Sequence, residues 1–335
     1  MQLLRPSVTI ITAAFLCIAL LVGIVVYSMA QPVSSLPGNP VTVVVKPGMT
    51  TAEIGSLLHQ HGLIKSVTLF RGFVHSQGLQ NSLQAGEYSL TTAMRIQTII
   101  GMLAKGDVAY QQITIPEGLT IDEIAKLLEE KNLATAASFK TAAKDYLPYD
   151  YIQPSPGVSY KAEGFLFPDT YQIPRGMKED DLLRTMTFQF DRLFTQTMRD
   201  RANEVGLSVR EMVILASLIE KEARYAEERP IIARVFMNRL KQGMPLQSCA
   251  TIQYILGYPK PELTIKDTEI PSPYNTYQNM GLPPGPIANP GLASIKAALF
   301  PAETDYLYFV ADKNGKHHFS KTYDEHLANI DKVSY

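Results

Sequence analysis

The chain has 335 residues, of which 46% are hydrophobic and 19% charged, and its formal net charge is -1. That length suffices for about two domains with appendages, and a balanced charge without any Lys/Arg run leaves no electrostatic footprint for nucleic acid. Only two cysteines are present, Cys17 and Cys249, far apart in the chain, which excludes a disulfide scaffold and a cysteine-based zinc site within one chain.

Residues 1–30 read as a short tail and a membrane anchor. Val8 to Tyr27 (VTIITAAFLCIALLVGIVVY) carries no charge, and at a helical rise of 1.5 Å per residue it spans about 30 Å, the hydrocarbon thickness of a bilayer. The run is longer than the roughly 7–15 apolar residues of a signal peptide, so a retained anchor is preferred to cleavage after Ala30. The tail holds Arg5 and no acid, which leaves it in the cytoplasm and the rest of the chain across the inner membrane, as a single-pass protein.

A Pro/Ser/Gly linker at 31–40 precedes an internal repeat. Val43 to Ile54 (VVVKPGMTTAEI) is echoed 70 residues later by Ile113 to Ile124 (ITIPEGLTIDEI). Each copy reads as strand, tight glycine turn, Thr cap and amphipathic helix, with Thr50/Glu53 and Thr120/Glu123 as capping boxes. Between the copies, 85–90 reads as a strand and 94–103 as a helix ending at Lys105-Gly106. Residues 41–150 are expected to form one α+β region, with a boundary near 145–160, and 151–335 a second, mixed α+β domain.

In that second part helices are expected over 179–203, 209–225 and 230–242, the last with Pro230 in its first turn and Gly243 after its end. The helix from Val209 starts at a capping box, Ser208 with Glu211, and ends in LASLIEKEAR. Leu215, Leu218, Ile219 and Glu222 share one face, so Glu222 closes an apolar stripe. A carboxyl there has its charged form disfavoured and its pKa raised, as a general acid working near neutral pH requires. Glu220 lies on another face, a turn after Ala216 and Ser217, whose small side chains are expected to leave room for a ligand. Acids at a helix end are more often simply a solvated face. Further on, 306–310 and 317–320 flank Asp312-Lys313-Asn314-Gly315 and read as a hairpin. His317 and His318, adjacent in a strand, point to opposite faces and with His326 make a poor metal site; neither a metal nor a cofactor is expected.

Four segments of this part are unusual: EGFLFPDTY (163–171) with Glu163 and Asp169, the Glu220/Glu222 helix, GMPLQSCAT (243–251), and the stiff loop from YNTY (274–277) to GLPPGPI (281–287). Tyr, Asn and Gln offer stacking faces and amide groups suited to sugars. Taken singly, Glu163, Asp169, Gln247 and Ser248 also serve as helix caps or ion-pair partners. No nucleotide loop, GxSxG elbow or HExxH pattern occurs.

Together EGFLFPDTY, ASLIEKEA, ARVFMNRLKQGMPLQS, YNTYQNMGLPPGPIANPG and YLYFVADKNGKHHFS resemble the endolytic murein transglycosylase family (YceG-like, MltG) over nearly the whole chain. The resemblance implies a membrane span, a LysM-like portion, and a catalytic domain acting as a lyase on peptidoglycan glycan strands. Such a lyase cuts the β-1,4 bond between N-acetylmuramic acid and N-acetylglucosamine, leaves a 1,6-anhydromuramic end and acts beside penicillin-binding synthases to limit strand length. It also implies Glu222 as the acid/base, with Glu220 as runner-up, and points to Gln247, Asn275 and Tyr277 for holding the sugars. Many relatives carry Asp-Pro where this chain has Cys249-Ala250, so no role of that Asp carries over. Two readings compete: a two-carboxylate hydrolase with Glu163 or Asp169 as the partner acid, and a non-enzymatic glycan-binding scaffold in which Glu222 is exposed.

Overall fold

The structure is a computed structural model that describes residues 8–34, 40–147, 149–152, 156–174, 176–260 and 262–333, with side chains from residue 15 onward. The expected N-terminal tail with Arg5 and part of the expected linker and boundary lie outside the described residues. Helix α1 (Val8–Ala30) precedes β1 (Val41–Val45), α2 (Thr51–Gln60), α3 (Val67–Ser76), β2 (Gly86–Leu90) and α4 (Ile96–Lys105). Next come β3 (Tyr110–Thr114), α5 (Ile121–Glu130), α6 (Ala136–Asp145) and β4 (Thr170–Pro174). Helices α7 (Glu179–Leu193), α8 (Gln196–Glu204), α9 (Val209–Glu222), α10 (Arg229–Lys241), α11 (Cys249–Leu256), α12 (Ile265–Thr268) and α13 (Leu292–Leu299) follow. The chain then runs through β5 (Tyr308–Ala311), β6 (His317–Ser320) and α14 (Tyr323–Val333). The class is α+β, with small sheets β1–β2, β3–β4 and β5–β6 among many helices. Two compact units divide it: Met1–Gln111 with Gln172–Gly176, and Gln112–Tyr171 with Met177–Tyr335.

In the smaller unit β1 and β2 pair antiparallel with Val43 opposite Tyr88. Alternation buries Val43, Val45, Tyr88 and Leu90 against Ile54, Leu58, Phe70, Val74, Ile99 and Leu103. The caps form as their spacing demands. Glu53 accepts from the Thr50 amide at 2.7 Å and Glu123 from the Thr120 amide at 2.8 Å, and each such cap contributes about 1 kcal/mol. Helix α4 closes at Gly106, whose φ of +68° is the left-handed conformation that glycine adopts without strain.

The second copy of the repeat belongs to the larger unit, with the residues that follow it. The turn at Gly118 is the reason. Its amide donates to the Asn289 carbonyl at 2.9 Å, its carbonyl accepts from Lys221 Nζ at 3.2 Å, and the first amide of α5, Ile121, donates to Glu163 at 3.0 Å. Around it, α9 is buried on all sides from Met212 to Ile219, as expected of a central helix, and it packs against α8, α10, α11 and α13. At Gly164, φ is +87° and an added Cβ would meet Pro286 at 2.5 Å and Val213 at 2.7 Å.

Two boundaries differ from the periodicity. The expected helix 179–203 breaks at Phe194 (ψ 78°) and Thr195 (ψ 164°); Phe194 turns into the core against Phe190 and Thr195 starts α8. The expected helix 209–225 stops at Glu222, because Ala223 is extended at ψ 116°.

Phe15, Leu16, Leu20, Leu21 and Ile24 of α1 are exposed. Among the described residues no helix is long and apolar enough to cross a membrane. Seven residues of the expected anchor, 8–14, have side chains outside the description.

Candidate active site

Helix α9 ends on the residue that the apolar stripe singled out. Glu222 is half-buried, and its Oε1 accepts a hydrogen bond from Ser248 Oγ. The Ala250 amide, in the first turn of α11, also favours its charged form, as the N-terminus of a helix favours negative charge. Burial nevertheless dominates and pushes the pKa above the ordinary carboxylate value, against the opposing pull of Ser248, of His317 and of the Ala250 amide. Such a group keeps its proton into a higher pH range than a solvated glutamate and is set against bonded donors that welcome the anion once the proton leaves.

Ser248 is aimed by two loops sewn together. The Gln247 amide donates to the Thr276 carbonyl at 3.0 Å and the Ser248 amide to Thr276 Oγ1 at 3.0 Å, while Thr251 Oγ1 lies 3.0 Å from the same hydroxyl. Gln247 takes a left-handed φ of +49°, uncommon outside glycine, which turns the chain into α11. Its own side chain is exposed, with Oε1 3.5 Å from Arg239 Nη1. Tyr277 is half-buried and its hydroxyl lies 3.1 Å from Cys249 Sγ. Cys249, Gln253, Lys260, Thr264, Thr268 and Tyr277 line a pocket of about 420 Å³.

The other expected site residues do different work. Asn275 is fully buried; its amide nitrogen donates to the Thr268 and Ile270 carbonyls at 2.9 and 2.8 Å, and its Oδ1 accepts from the Tyr277 amide at 3.0 Å. It shapes the loop that presents Tyr277, and its burial keeps it from touching a sugar. Glu220 accepts from the Gly291 amide at 3.0 Å, at the start of α13, and faces Arg229 at 3.6 Å. The room expected beside Ala216 and Ser217 is filled: both are fully buried, and Ser217 Oγ accepts from the Ile287 amide at 3.1 Å. Glu163 is enclosed by Ile121, Asn289 and Tyr254, and burial raises its pKa to about 8. Exposed Asp169 accepts from the Thr170 amide and from Gln189. Glu163, only 1% exposed, has no opening through which to activate a water as the partner acid of a hydrolase.

By sequence alone Ser248 is a candidate helix cap, and nothing local marks Thr276, Glu228 or the pairing of His317. A Ser at the N-cap ordinarily accepts from its own helix; here it makes no such bond and serves Glu222 instead. The remaining contacts join residues tens of positions apart, which no local spacing signals. Among the described residues there is no His, Cys, Asp and Glu grouping able to hold a metal.

The sequence model of the YceG-like family matches residues 43–332. The chain is 35% identical over 314 residues to a Bacillus subtilis protein named endolytic murein transglycosylase, a match covering 89% of this chain and 86% of that one. It is 33% identical over 331 residues to a Streptococcus pneumoniae protein of the same name, covering 89% of this chain and 59% of that longer protein. A solved structure of a YceG-like protein from Listeria monocytogenes is similar at a TM-score of 0.61 and 33% identity, over 87% of this chain and 100% of that one.

Proposed function

The chain belongs to the YceG-like family, and we propose that it is an endolytic murein transglycosylase in which Glu222 is the acid/base. Protonated Glu222 gives its proton to the glycosidic oxygen as the C1–O4 bond between N-acetylmuramic acid and N-acetylglucosamine breaks. The carboxylate so formed takes the proton of the muramic C6 hydroxyl as that oxygen bonds to C1. Glu222 ends as it began, and the product is a 1,6-anhydro end. One carboxyl thus serves both steps, unlike the pair in a hydrolase. Gln247 and Tyr277, at the rim beside Ser248, are the groups proposed to meet the sugars.

The observation that carries this reading is the environment of Glu222: burial raises its pKa while Ser248 and the Ala250 amide stand ready for the anion. Membrane tethering through α1, a LysM-like region over residues 41–150 and action beside penicillin-binding synthases belong to the same proposal. Alkaline carbonate extraction, binding of the chain to murein sacculi, and crosslinking in cells test them in turn.

Mass spectrometry of murein digested by the purified chain tests the chemistry. Anhydro ends are expected, with a loss of about 10²- to 10⁴-fold in Glu222→Gln. Activity should fall as pH rises through the raised pKa of Glu222, since the first step needs the acid form. Reducing ends, or undiminished digestion by Glu222→Gln, would overturn the assignment.

A further inference from the structure

The pocket of about 420 Å³ borders the Glu222–Ser248 pair and lies at the small end of the roughly 300–1,000 Å³ of small-molecule sites. Helix α11 supplies Cys249 and Gln253 to it, the segment from Lys260 through α12 supplies another side, and Tyr277 completes it. Its link to the carboxyl is Ser248. The Oγ of Ser248 donates to Glu222, and its amide donates to Thr276 Oγ1 at 3.0 Å. The residues that follow Ser248 and Thr276 in the chain, Cys249 and Tyr277, both line the pocket, with Sγ and Oη 3.1 Å apart.

The lining is polar but carries no free charge. Lys260 is the only charged residue among those that line the pocket, and its Nζ lies 2.6 Å from Asp267 Oδ2. The same carboxylate accepts from the Thr264 amide and Oγ1 at 2.6 and 2.7 Å. A second carboxylate brought in would compete with Asp267 for Lys260 and be repelled by it. A neutral sugar meets no such opposition. The Tyr277 ring offers a face to the C–H side of a pyranose. Gln253 Nε2 makes a long contact of 3.4 Å to the Lys260 carbonyl, which leaves its amide donor and acceptor capacity for an acetamido group. Leu263 and Ile265, the latter 79% exposed, offer apolar surface to the acetyl methyl. Thr268 Oγ1 donates to the Ile265 carbonyl at 2.7 Å, so its oxygen can accept from a sugar hydroxyl.

We propose that this pocket is the subsite for the leaving N-acetylglucosamine, with Gln253 reading its 2-acetamido group and Tyr277 stacked on its ring. The proposal rests on the acid/base reading of Glu222 and assigns one of the two sugars at the cleaved bond to a place. Of those two, only the glucosamine lacks the 3-O-lactyl arm and the peptide carboxylates that the arm carries. It is therefore the sugar that suits a pocket whose one cation is already neutralised. Its O4 is the atom that Glu222 protonates, so it must lie against the border that Ser248, Cys249 and Tyr277 form. The muramic residue then lies outside the pocket, with its C6 hydroxyl directed to the same carboxyl. Gln253 and the Lys260–Asp267 pair take no part in the proton transfers; they decide which sugar is held.

The test is binding of N-acetylglucosamine and of N-acetylmuramic acid to the full chain, read by saturation-transfer NMR titration. The two probes differ in the lactyl carboxylate alone. N-acetylglucosamine is expected to bind about tenfold more tightly. Gln253→Leu, which keeps the size of the side chain and removes its amide, should weaken that binding about tenfold. Ile265→Asp, at an exposed position where the fold is not at stake, should weaken it as well. In release of anhydro ends, Gln253→Leu should raise KM about tenfold with kcat within about twofold, the mark of lost binding rather than lost chemistry. Equal or tighter binding of N-acetylmuramic acid, or N-acetylglucosamine binding indifferent to both variants, overturns the proposal. Glu222→Gln separates it from the reading beneath it. If that variant still releases anhydro ends the acid/base reading fails, whereas if it is inactive and the sugar preference is absent only the subsite fails.

Discussion

Glu163 and Glu222 are both pushed up by lost hydration, and they differ in what encloses them. Glu222 is met by a hydroxyl and by a half-open rim. Glu163 is walled in by a backbone amide, an asparagine and a tyrosine, all of which it joins to one another. A carboxyl whose folded pKa, about 8, exceeds its unfolded value of 4.5 binds a proton more tightly when folded. Its stabilisation is full below the unfolded pKa and is lost as pH rises through the folded one. Wild-type unfolding free energy should therefore decline between about pH 4.5 and 8, by on the order of a few kcal/mol. Glu163→Gln keeps an acceptor for Ile121 and Asn289 and should flatten that slope in denaturant titrations across the range; an unchanged slope would show that Glu163 is ionised in the fold. At this scale Glu222 was legible because its position on the helix follows from a period of 3.6. Asn275 was misread, since residue chemistry suited to sugars says nothing about burial.

Single elements act here mainly by what they hold still. Helix α11 aims Ser248 and the Ala250 amide at Glu222, α9 carries Glu222 at its last turn, and Asn289 joins the stiff loop to the second copy of the repeat. The Asn289 side chain accepts from the Leu166 amide at 2.9 Å and donates to the Leu119 carbonyl at 2.9 Å and to Glu163 at 3.0 Å. Asn289→Ala strands a buried amide and a buried carboxyl at once. It should lower stability by about 3 kcal/mol, since each unsatisfied buried group costs about 1–3 kcal/mol. Thermal melting checks this, and a melting temperature equal to that of the wild type would show the contact to be dispensable. The helices and caps that support these contacts were readable from Ser208/Glu211 and Thr120/Glu123, because a capping box is complete within four residues. The break at Phe194 was not, since no Gly or Pro marks it and burial of the ring decides it.

For the whole molecule, the sequence divides the chain by texture and the structure divides it by packing. The two copies of the repeat share strand, turn and cap, yet one lies in the smaller unit and the other in the larger. The second copy is tied there through Gly118, Ile121 and Lys221. Its Gly118 turn lies against α9 beside Glu220 and Lys221, so it supports the helix that carries Glu222. The uncharged stretch from Val8 to Tyr27 bears on the same scale. If α1 anchors the chain, the full-length protein should stay with membranes through alkaline carbonate extraction and a form lacking residues 1–30 should not. Recovery of the full-length protein in the carbonate supernatant would sink the anchor.

The sequence by itself determined the α+β class, the duplicated strand-turn-helix, the capped helix that ends in Glu222 and the family resemblance. All of these rest on interactions or patterns local in the chain: periodicity, caps, turns and ordered motifs. Only the tertiary structure decided that Ser248 serves Glu222, that Glu220 holds the start of α13, that Asn275 is interior and that Glu228 fixes His317. Burial and long-range hydrogen bonds are properties of packing, and they are set by residues that no local window contains.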